Sequence, residues 1–266
     1  MNPWEAALLG LVEGLTEFLP VSSTGHLILV GHLLRLEGEG THAFEIVIQL
    51  GALLAVVVHY RRLLGARLGG LFRHERASLD LLVALLLAFA PVAAAGLLLR
   101  KAIKRWLFGP GPVAAALVVG GLAMILLPRL LRGRPRVDGL EQVTPRRALL
   151  IGLGQCLALW PGASRSMCTI LAAEAAGLST ATAAEFSFLL ALPTLGAATL
   201  YEAMKSWRPL LETVPTLSMA VGLAVSFLVA WAVIAAFLRY LARTGLAPFG
   251  VYRLALGLVV FFTLVR

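Results

Sequence analysis

The sequence predicts an all-α polytopic membrane protein made of two inverted repeats, each a re-entrant helical hairpin followed by three transmembrane helices, in a single integral membrane domain over residues 1–266. Three observations lead there. First, 59% of the residues are hydrophobic, only 14% are charged, and the mean hydropathy is +0.89. A soluble domain carries about 25% charged residues, and so few charges cannot clothe a soluble globule of this size. Second, six apolar runs approach the length needed to cross a bilayer. Third, two further apolar segments hold charges and helix breakers in their middles and match each other at a fixed spacing.

The same composition excludes other classes. Apolar content is too high for disorder, and two cysteines cannot build a disulfide scaffold. Cys156 and Cys168 lie in an apolar stretch and read as reduced thiols acting as small hydrophobes. The net charge of +9 could suggest nucleic acid, but the basic residues sit in short clusters between apolar runs, at Arg61–Arg62, Arg100–Lys101 and Arg129–Arg136. In a membrane protein such clusters set orientation, so no nucleic-acid partner is expected. Near the start, Glu5, Glu13 and Glu17 stand where a signal peptide needs an apolar core, so this segment is expected to stay on the mature chain.

Taken in order, Trp4–Leu34 holds two glutamates, a proline, a Ser-Ser-Thr-Gly run and a histidine, which no straight helix through lipid would tolerate. Non-helical backbone at membrane depth survives only when buried in protein or facing a watery cavity. The segment is therefore read as a helix–break–helix hairpin entering and leaving on one side. Ala43–Tyr60, Leu81–Leu99 and Trp106–Pro128 follow as crossings. Ala148–Ala176, with Gln155, a Pro-Gly and Ser-Arg-Ser, is the second hairpin; Ala183–Tyr201, Thr213–Leu238 and Pro248–Val265 are the last three crossings. Three of the six runs have one ionisable residue near an end: Ala43–Tyr60, Ala183–Tyr201 and Pro248–Val265.

A shift of 142 residues aligns LLGLVEG from Leu8 with LIGLGQC from Leu150, and brings Ser22 onto Ser164 and Phe44 onto Phe186. Repeat one then covers about 1–135 and repeat two about 143–266. With three crossings per half, the second copy must insert upside down, an arrangement in which broken helices from the two halves meet near the bilayer midplane. Segments 61–78, 129–147 and 239–253, read as loops on one side, carry 14 Lys and Arg; Arg35, 100–111, 203–212 and the C-terminus carry 8. Positive-inside places the first set in the cytoplasm, so the first hairpin enters from outside.

Two constellations carry chemistry. Glu13 and Glu17 lie one helical turn apart on one face, and each ionised group at the bilayer centre costs about 2.5–3.5 kcal/mol. A metal between them, or a cationic partner with proton sharing, would offset that cost; snorkelling at an interface is the plainer alternative. Pro20 stops the helix, and Ser22, Ser23, Thr24 and Gly25 precede a new one, where free N–H groups favour an anion. These serines are either simple N-caps or include a nucleophile that needs a base, for which His26 and the two carboxylates are available. His26 alone would pass as a buried core histidine, the reading given to His32, His42 and His59.

The second constellation runs from Trp160 through Pro161, Ser164, Arg165 and Ser166, and Arg165 is the only basic residue between Arg147 and Lys205. Its planar fork suits phosphate or carboxylate; an ion pair with Glu13 or Glu17 is the simpler role. If the hairpins converge, two acids, an arginine, a histidine and several hydroxyls form one pocket. That inventory fits hydrolysis of a phosphate ester or anhydride whose apolar part stays in lipid.

EGLTEFLPVSSTGH (Glu13–His26) and PGASRSMCT (Pro161–Thr169) resemble the two signature motifs of the undecaprenyl-diphosphate phosphatase family, the bacitracin-resistance membrane phosphatases, and length, motif spacing and span pattern agree over essentially the whole chain. The second motif departs at Met167, where glycine is expected, and Gln155 stands where the first half has Glu13. The resemblance implies removal of the terminal phosphate of the polyprenyl diphosphate lipid, recycling the carrier for peptidoglycan synthesis and conferring bacitracin resistance. It further implies a divalent cation (Mg2+ or Ca2+) on Glu13 and Glu17, a bacterial inner-membrane location, and a site opening to the extracytoplasmic face. By position, Glu13, Glu17, Ser23, His26 and Arg165 would be the catalytic set, with Ser22, Thr24, Ser164, Arg165 and Ser166 binding substrate.

Ser23 attacking phosphorus with His26 exchanging protons, and a Glu-activated water attacking directly, are both open at this stage. So is the competing class, a transporter or flippase of a polyprenyl phosphate on the same inverted-repeat fold. Oligomeric state is open as well, a homodimer included.

Overall fold

Asn2 opens the first helix with a capping box: its side chain accepts from the Glu5 N–H at 2.9 Å while the Glu5 carboxylate accepts from the Asn2 N–H at 2.7 Å. Pro3 follows at the first helical position, where a missing N–H costs nothing. In the computed structural model, which describes residues 1–36 and 38–265 and all their side chains but that of Lys104, helix α1 (Pro3–Thr16) continues into Glu17 and stops before Pro20. Helix α2 (Ser23–Leu33) then leads back, giving the expected first hairpin. Lys104 and Arg266, two of the basic residues counted on the extracytoplasmic side, lie outside the described side chains and residues respectively.

The first crossing is a broken one, α3 (Glu39–Val47) and α4 (Gln49–His59), with Ile48 between. Side chains of neighbouring helices take up carbonyls around the break: Ser226 Oγ donates to Ile48 O at 2.9 Å and Thr199 Oγ1 to Ile46 O at 3.4 Å. After α5 (Arg61–Phe72) come the long crossings α6 (Arg76–Trp106) and α7 (Pro110–Leu130). In the second half, α8 (Pro145–Gln155), a 3-10 turn and α9 (Arg165–Ala175) form the second hairpin, followed by α10 (Thr180–Lys205), a short α11 (Trp207–Thr213), α12 (Thr216–Thr244) and α13 (Ala247–Val260). Among the described residues six helical spans are long and apolar enough to cross a membrane, and they correspond one to one with the six predicted runs.

Two segments differ from the loops expected. Residues 61–72 form α5, whose Leu63 and Leu64 pack on the main core while Arg61 and Arg62 are exposed and Arg67 is half-buried. Arg253, counted among loop charges, lies inside α13 and is fully buried; without it that side carries thirteen basic residues instead of fourteen. A basic residue near the end of an apolar run reads as a loop in sequence, but here the helix starts at Ala247, two turns earlier.

Close helix contacts fix where the hairpins sit. α1 lies against α12 so tightly that a Cβ on Gly14 would stand 2.6 Å from Ser226 O and 3.0 Å from Ala230 N, both backbone atoms that cannot step aside. The linker between the halves is strapped to the second hairpin: Val137 N–H donates to Gly177 O, and the Ser179 N–H donates to Val137 O, each at 3.0 Å. Arg136 reaches Glu174 at 3.4 Å and Thr180 at 3.1 Å. Phe18, Phe186 and Phe188 anchor the apolar core behind the two breaks, with Phe18 and Phe188 edge to face at 5.0 Å.

Candidate active site

Both breaks use the same local device. Ser22 (φ 74°) and Ser164 (φ 72°) are left-handed residues that cap the helices after the breaks, accepting from Gly25 N–H and Met167 N–H respectively, each at 3.3 Å. Such a conformation costs a non-glycine residue on the order of 1–3 kcal/mol and persists where surrounding structure holds it. Here it turns the chain sharply enough that α2 and α9 begin at one cavity. The 142-residue register thus relates two backbone conformations as well as two strings of letters.

Between the breaks lies a cavity of about 150 Å³, walled by Glu17, Ser22, Ser23, Thr24, Ser164 and Arg165, with Trp160, Gln49 and Leu195 closing other sides. Ser23 Oγ donates to Glu17 Oε2 at 2.7 Å. The other oxygen, Glu17 Oε1, accepts from Arg165 Nη2 at 3.1 Å and Nε at 3.4 Å. Arg165 also donates from Nη1 to Ser187 O at 2.9 Å and Ser187 Oγ at 3.4 Å, and stands 5.7 Å over the Phe18 ring. Serine, carboxylate and guanidinium therefore form one hydrogen-bonded chain across the two hairpins. Ser166 ties them again, donating to Leu19 O at 3.0 Å and bonding Ser164 at 3.1 Å.

Glu13 lies a turn behind Glu17, wholly buried, and neither of its oxygens receives a hydrogen bond. Its charged neighbours are Glu17, Glu45 and Arg165. A buried carboxylate with no donor is costly, and two idle acceptors beside a second carboxylate fit a cation. Among the described residues no three His, Cys, Asp or Glu gather as a ready-made metal cage. The counterpart of Glu13, Gln155, is also buried, and uses its amide on Ala88 O and Thr194, each at 3.4 Å.

His26 stands apart. Its Nδ1 lies 2.7 Å from Ser22 O, an acceptor, so that nitrogen carries the proton and Nε2 accepts from Tyr252 Oη, also at 2.7 Å. It does not wall the cavity. Of the nine sequence-derived residues, Glu17, Ser22, Ser23, Thr24, Ser164 and Arg165 line the cavity, Glu13 and Ser166 support it from behind, and His26 braces the first break from outside.

The family model for Bacitracin resistance protein BacA matches residues 6–259, nearly the whole chain. The chain belongs to the BacA family. It is 58% identical to a protein named undecaprenyl-diphosphatase from Sorangium cellulosum, over 97% of this chain and 85% of the relative. A protein of the same name from Thermoanaerobacter pseudethanolicus is 45% identical, over 96% of this chain and 94% of the relative.

Three residues of this BacA chain escaped the motif reading. Gln49 walls the cavity from the first residue of α4, presented there by the break at Ile48. Glu45, one turn before it, is a charged neighbour of Glu13 and bonds His42 Nδ1 at 3.2 Å. Under the 142-residue shift Glu45 falls on Ser187, the partner of Arg165. Extending the register past the hairpins to Phe44 and Phe186 was the signal for it. The third is Arg253, with no counterpart in either motif.

Proposed function

We propose that the chain is an integral membrane phosphatase that hydrolyses undecaprenyl diphosphate to undecaprenyl phosphate and inorganic phosphate, returning the lipid carrier to cell-wall synthesis and so conferring bacitracin resistance. The reading rests most heavily on the Ser23–Glu17–Arg165 chain across the two breaks, a nucleophile, a base and an anion-binding fork in hydrogen-bond contact within one cavity. The cavity has room for a phosphate head, while the prenyl chain stays in lipid. The names of the relatives agree with that chemistry.

In the proposed reaction, Arg165 and the first N–H groups of α2 and α9 hold the diphosphate oxygens. Ser23 Oγ attacks the terminal phosphorus and its proton passes to Glu17 Oε2, already its acceptor at 2.7 Å. The bond from that phosphorus to the bridging oxygen breaks, releasing undecaprenyl phosphate. Glu17 passes that proton to the departing lipid phosphate and is a carboxylate again; water then attacks the phosphoserine, giving its proton to Glu17, which hands it to Ser23 Oγ as the serine–phosphorus bond breaks and phosphate leaves. This assigns the base to Glu17, and gives His26 the task of fixing the Ser22 turn. Ser22, Thr24, Ser164 and Ser166 shape and bind around the head.

Glu13 and Glu17 are the residues that would hold a divalent cation, Mg2+ or Ca2+, and the idle oxygens of Glu13 suit one. With only two protein carboxylates, phosphate oxygens and water would complete the set, as is usual for Mg2+. Bound there, the ion would offset phosphate charge. The site belongs, in this reading, on the extracytoplasmic face of the bacterial inner membrane, with repeats over about 1–135 and 143–266 inverted relative to each other. One chain supplies every residue, so no homodimer is required.

Detergent-purified protein should release phosphate from a C55 or C15 diphosphate with divalent cation and stop when a chelator is added. Ser23→Ala should lose this activity; substantial turnover in Ser23→Ala would instead mean attack by a Glu17-activated water. No release from wild type, alongside tight binding of the monophosphate, would replace the phosphatase by a carrier.

A further inference from the structure

The hydrolysis described above leaves a second buried arginine unused. Arg253 in α13 is fully buried and forms an ion pair with no carboxylate among the described residues. Its two Nη atoms are spent on main-chain carbonyls, while Nε is buried without a partner among the described residues. Nη2 donates to Gly162 O at 2.9 Å and to Ala116 O at 3.0 Å, and Nη1 reaches Pro20 O at 3.4 Å. Pro20 lies in the first break and Gly162 in the second, so one side chain bridges both breaks and α7. Pro20 and Gly162 lie in non-helical backbone, outside any helical ladder, whereas Ala116 is within the continuous α7.

The packing around it makes that reach available. α7 and α13 touch backbone to backbone: a Cβ on Gly250 would stand 2.7 Å from Gly121 O. A Cβ on Gly120 would collide with the Arg253 guanidinium and lie 2.7 Å from Met167 Sδ. Two small residues in sequence thus let an arginine on one helix pass its neighbour and enter the seam between the hairpins. A charge without a counter-charge inside a membrane protein is expensive and is kept for a purpose.

We infer that Arg253 is a positioning residue of the phosphatase site: by holding the carbonyls of Pro20 and Gly162 on one guanidinium, it keeps the two breaks in the register that lets Ser23 and Glu17 meet Arg165. This rests on the hydrolytic reading of the site. Arg253 does not wall the cavity and acts through the backbone of both breaks. Lysine at this position keeps the charge but has no planar fork to span acceptors on three segments.

The test compares wild type with Arg253→Lys, Arg253→Met and Gly120→Ala, the last perturbing the guanidinium with the arginine in place. Three quantities are read: kcat and KM for phosphate release from a C15 diphosphate, the melting temperature in detergent, and amide hydrogen exchange along the chain. A displacement of about 1 Å can cost on the order of 100-fold in rate. Accordingly kcat should fall roughly 10- to 100-fold in Arg253→Lys with KM within about threefold of wild type. Exchange should rise together in segments 17–25 and 160–167 in all three variants, with α6 and α12 unchanged. Full kcat in Arg253→Lys, exchange that rises at one break alone or at neither, or exchange that rises evenly along the chain, would overturn the inference. Should Arg253→Met fail to fold, the lysine and Gly120 variants decide the matter. A wild type that releases no phosphate sinks the hydrolytic reading, while the exchange pattern still tests the clamp.

Discussion

Glutamine in place of Glu17 should lower kcat by about 100-fold or more, within the range that general-base removal usually costs, while the chain stays folded. Glu17 is the point through which both functions of the site pass: Oε2 accepts from Ser23 and Oε1 from Arg165. An amide keeps one oxygen, and so retains a hydrogen bond from Arg165, but cannot take a proton from Ser23 at neutral pH. The loss should fall on kcat more than on KM, because the base acts as the nucleophile is released. Arg165 would lose its counter-charge, yet it keeps Ser187 O as an acceptor at 2.9 Å, which limits the structural damage. Phosphate release and a melting curve on the same preparation separate the two effects. A variant that melts normally and hydrolyses normally would remove Glu17 from the mechanism.

Arg165→Lys should be nearly as damaging, in a different way. The guanidinium reaches in two directions, with Nε and Nη2 on Glu17 and Nη1 on Ser187. An ammonium is a point charge and cannot serve both partners in a fixed plane. It should still neutralise Glu17, so the fold survives. The diphosphate loses the remaining guanidinium N–H groups that would hold it, and kcat/KM is expected to drop by about 100-fold, corresponding to about 2.7 kcal/mol. Arg165→Met should be worse, since removing one partner of a buried ion pair costs about 3–5 kcal/mol of stability. A lower melting temperature for methionine than for lysine, with activity poor in both, is the expected pattern. Lysine restoring full activity would mean that charge alone holds the phosphate.

What could be read from sequence follows from where charge is tolerated. In a chain with 14% charged residues, Glu13, Glu17 and Arg165 stood out because they interrupt apolar segments beside a proline or a Pro-Gly. The serine caps were legible too, since both motifs place them at a helix start. Glu45 and Arg253 were harder because each lies near the end of an apolar run, where an ionisable residue usually meets the interface. Both are drawn inward by features that hydropathy does not record. Glu45 is presented by the helix break at Ile48, whose carbonyl Ser226 satisfies from α12. Arg253 is let in by Gly120 and by the Gly121–Gly250 contact.

His26 is a motif residue whose partners the spacing alone does not predict. Its place in the first motif suggested a base, but partnership in three dimensions depends on which face of α2 it occupies. That face meets Tyr252, 226 positions away in the chain. Ser23, three residues earlier, points instead to Glu17. No spacing rule within the motif separates the two outcomes, because the turn at Ser22 resets the helix phase. Likewise α5 was read as loop because arginines outweigh its few packing leucines.

The central claim is that Ser23 and Glu17 work as one unit at the meeting of the two hairpins. A double-mutant cycle tests it most directly: phosphate release from the C55 diphosphate by wild type, Ser23→Ala, Glu17→Gln and the double variant, at saturating substrate and divalent cation. Residues that act together are strongly non-additive. Turnover of the double variant should therefore lie within about threefold of Glu17→Gln alone. If the two losses instead multiply, the serine and the carboxylate act independently, and the shared step assigned to them is wrong.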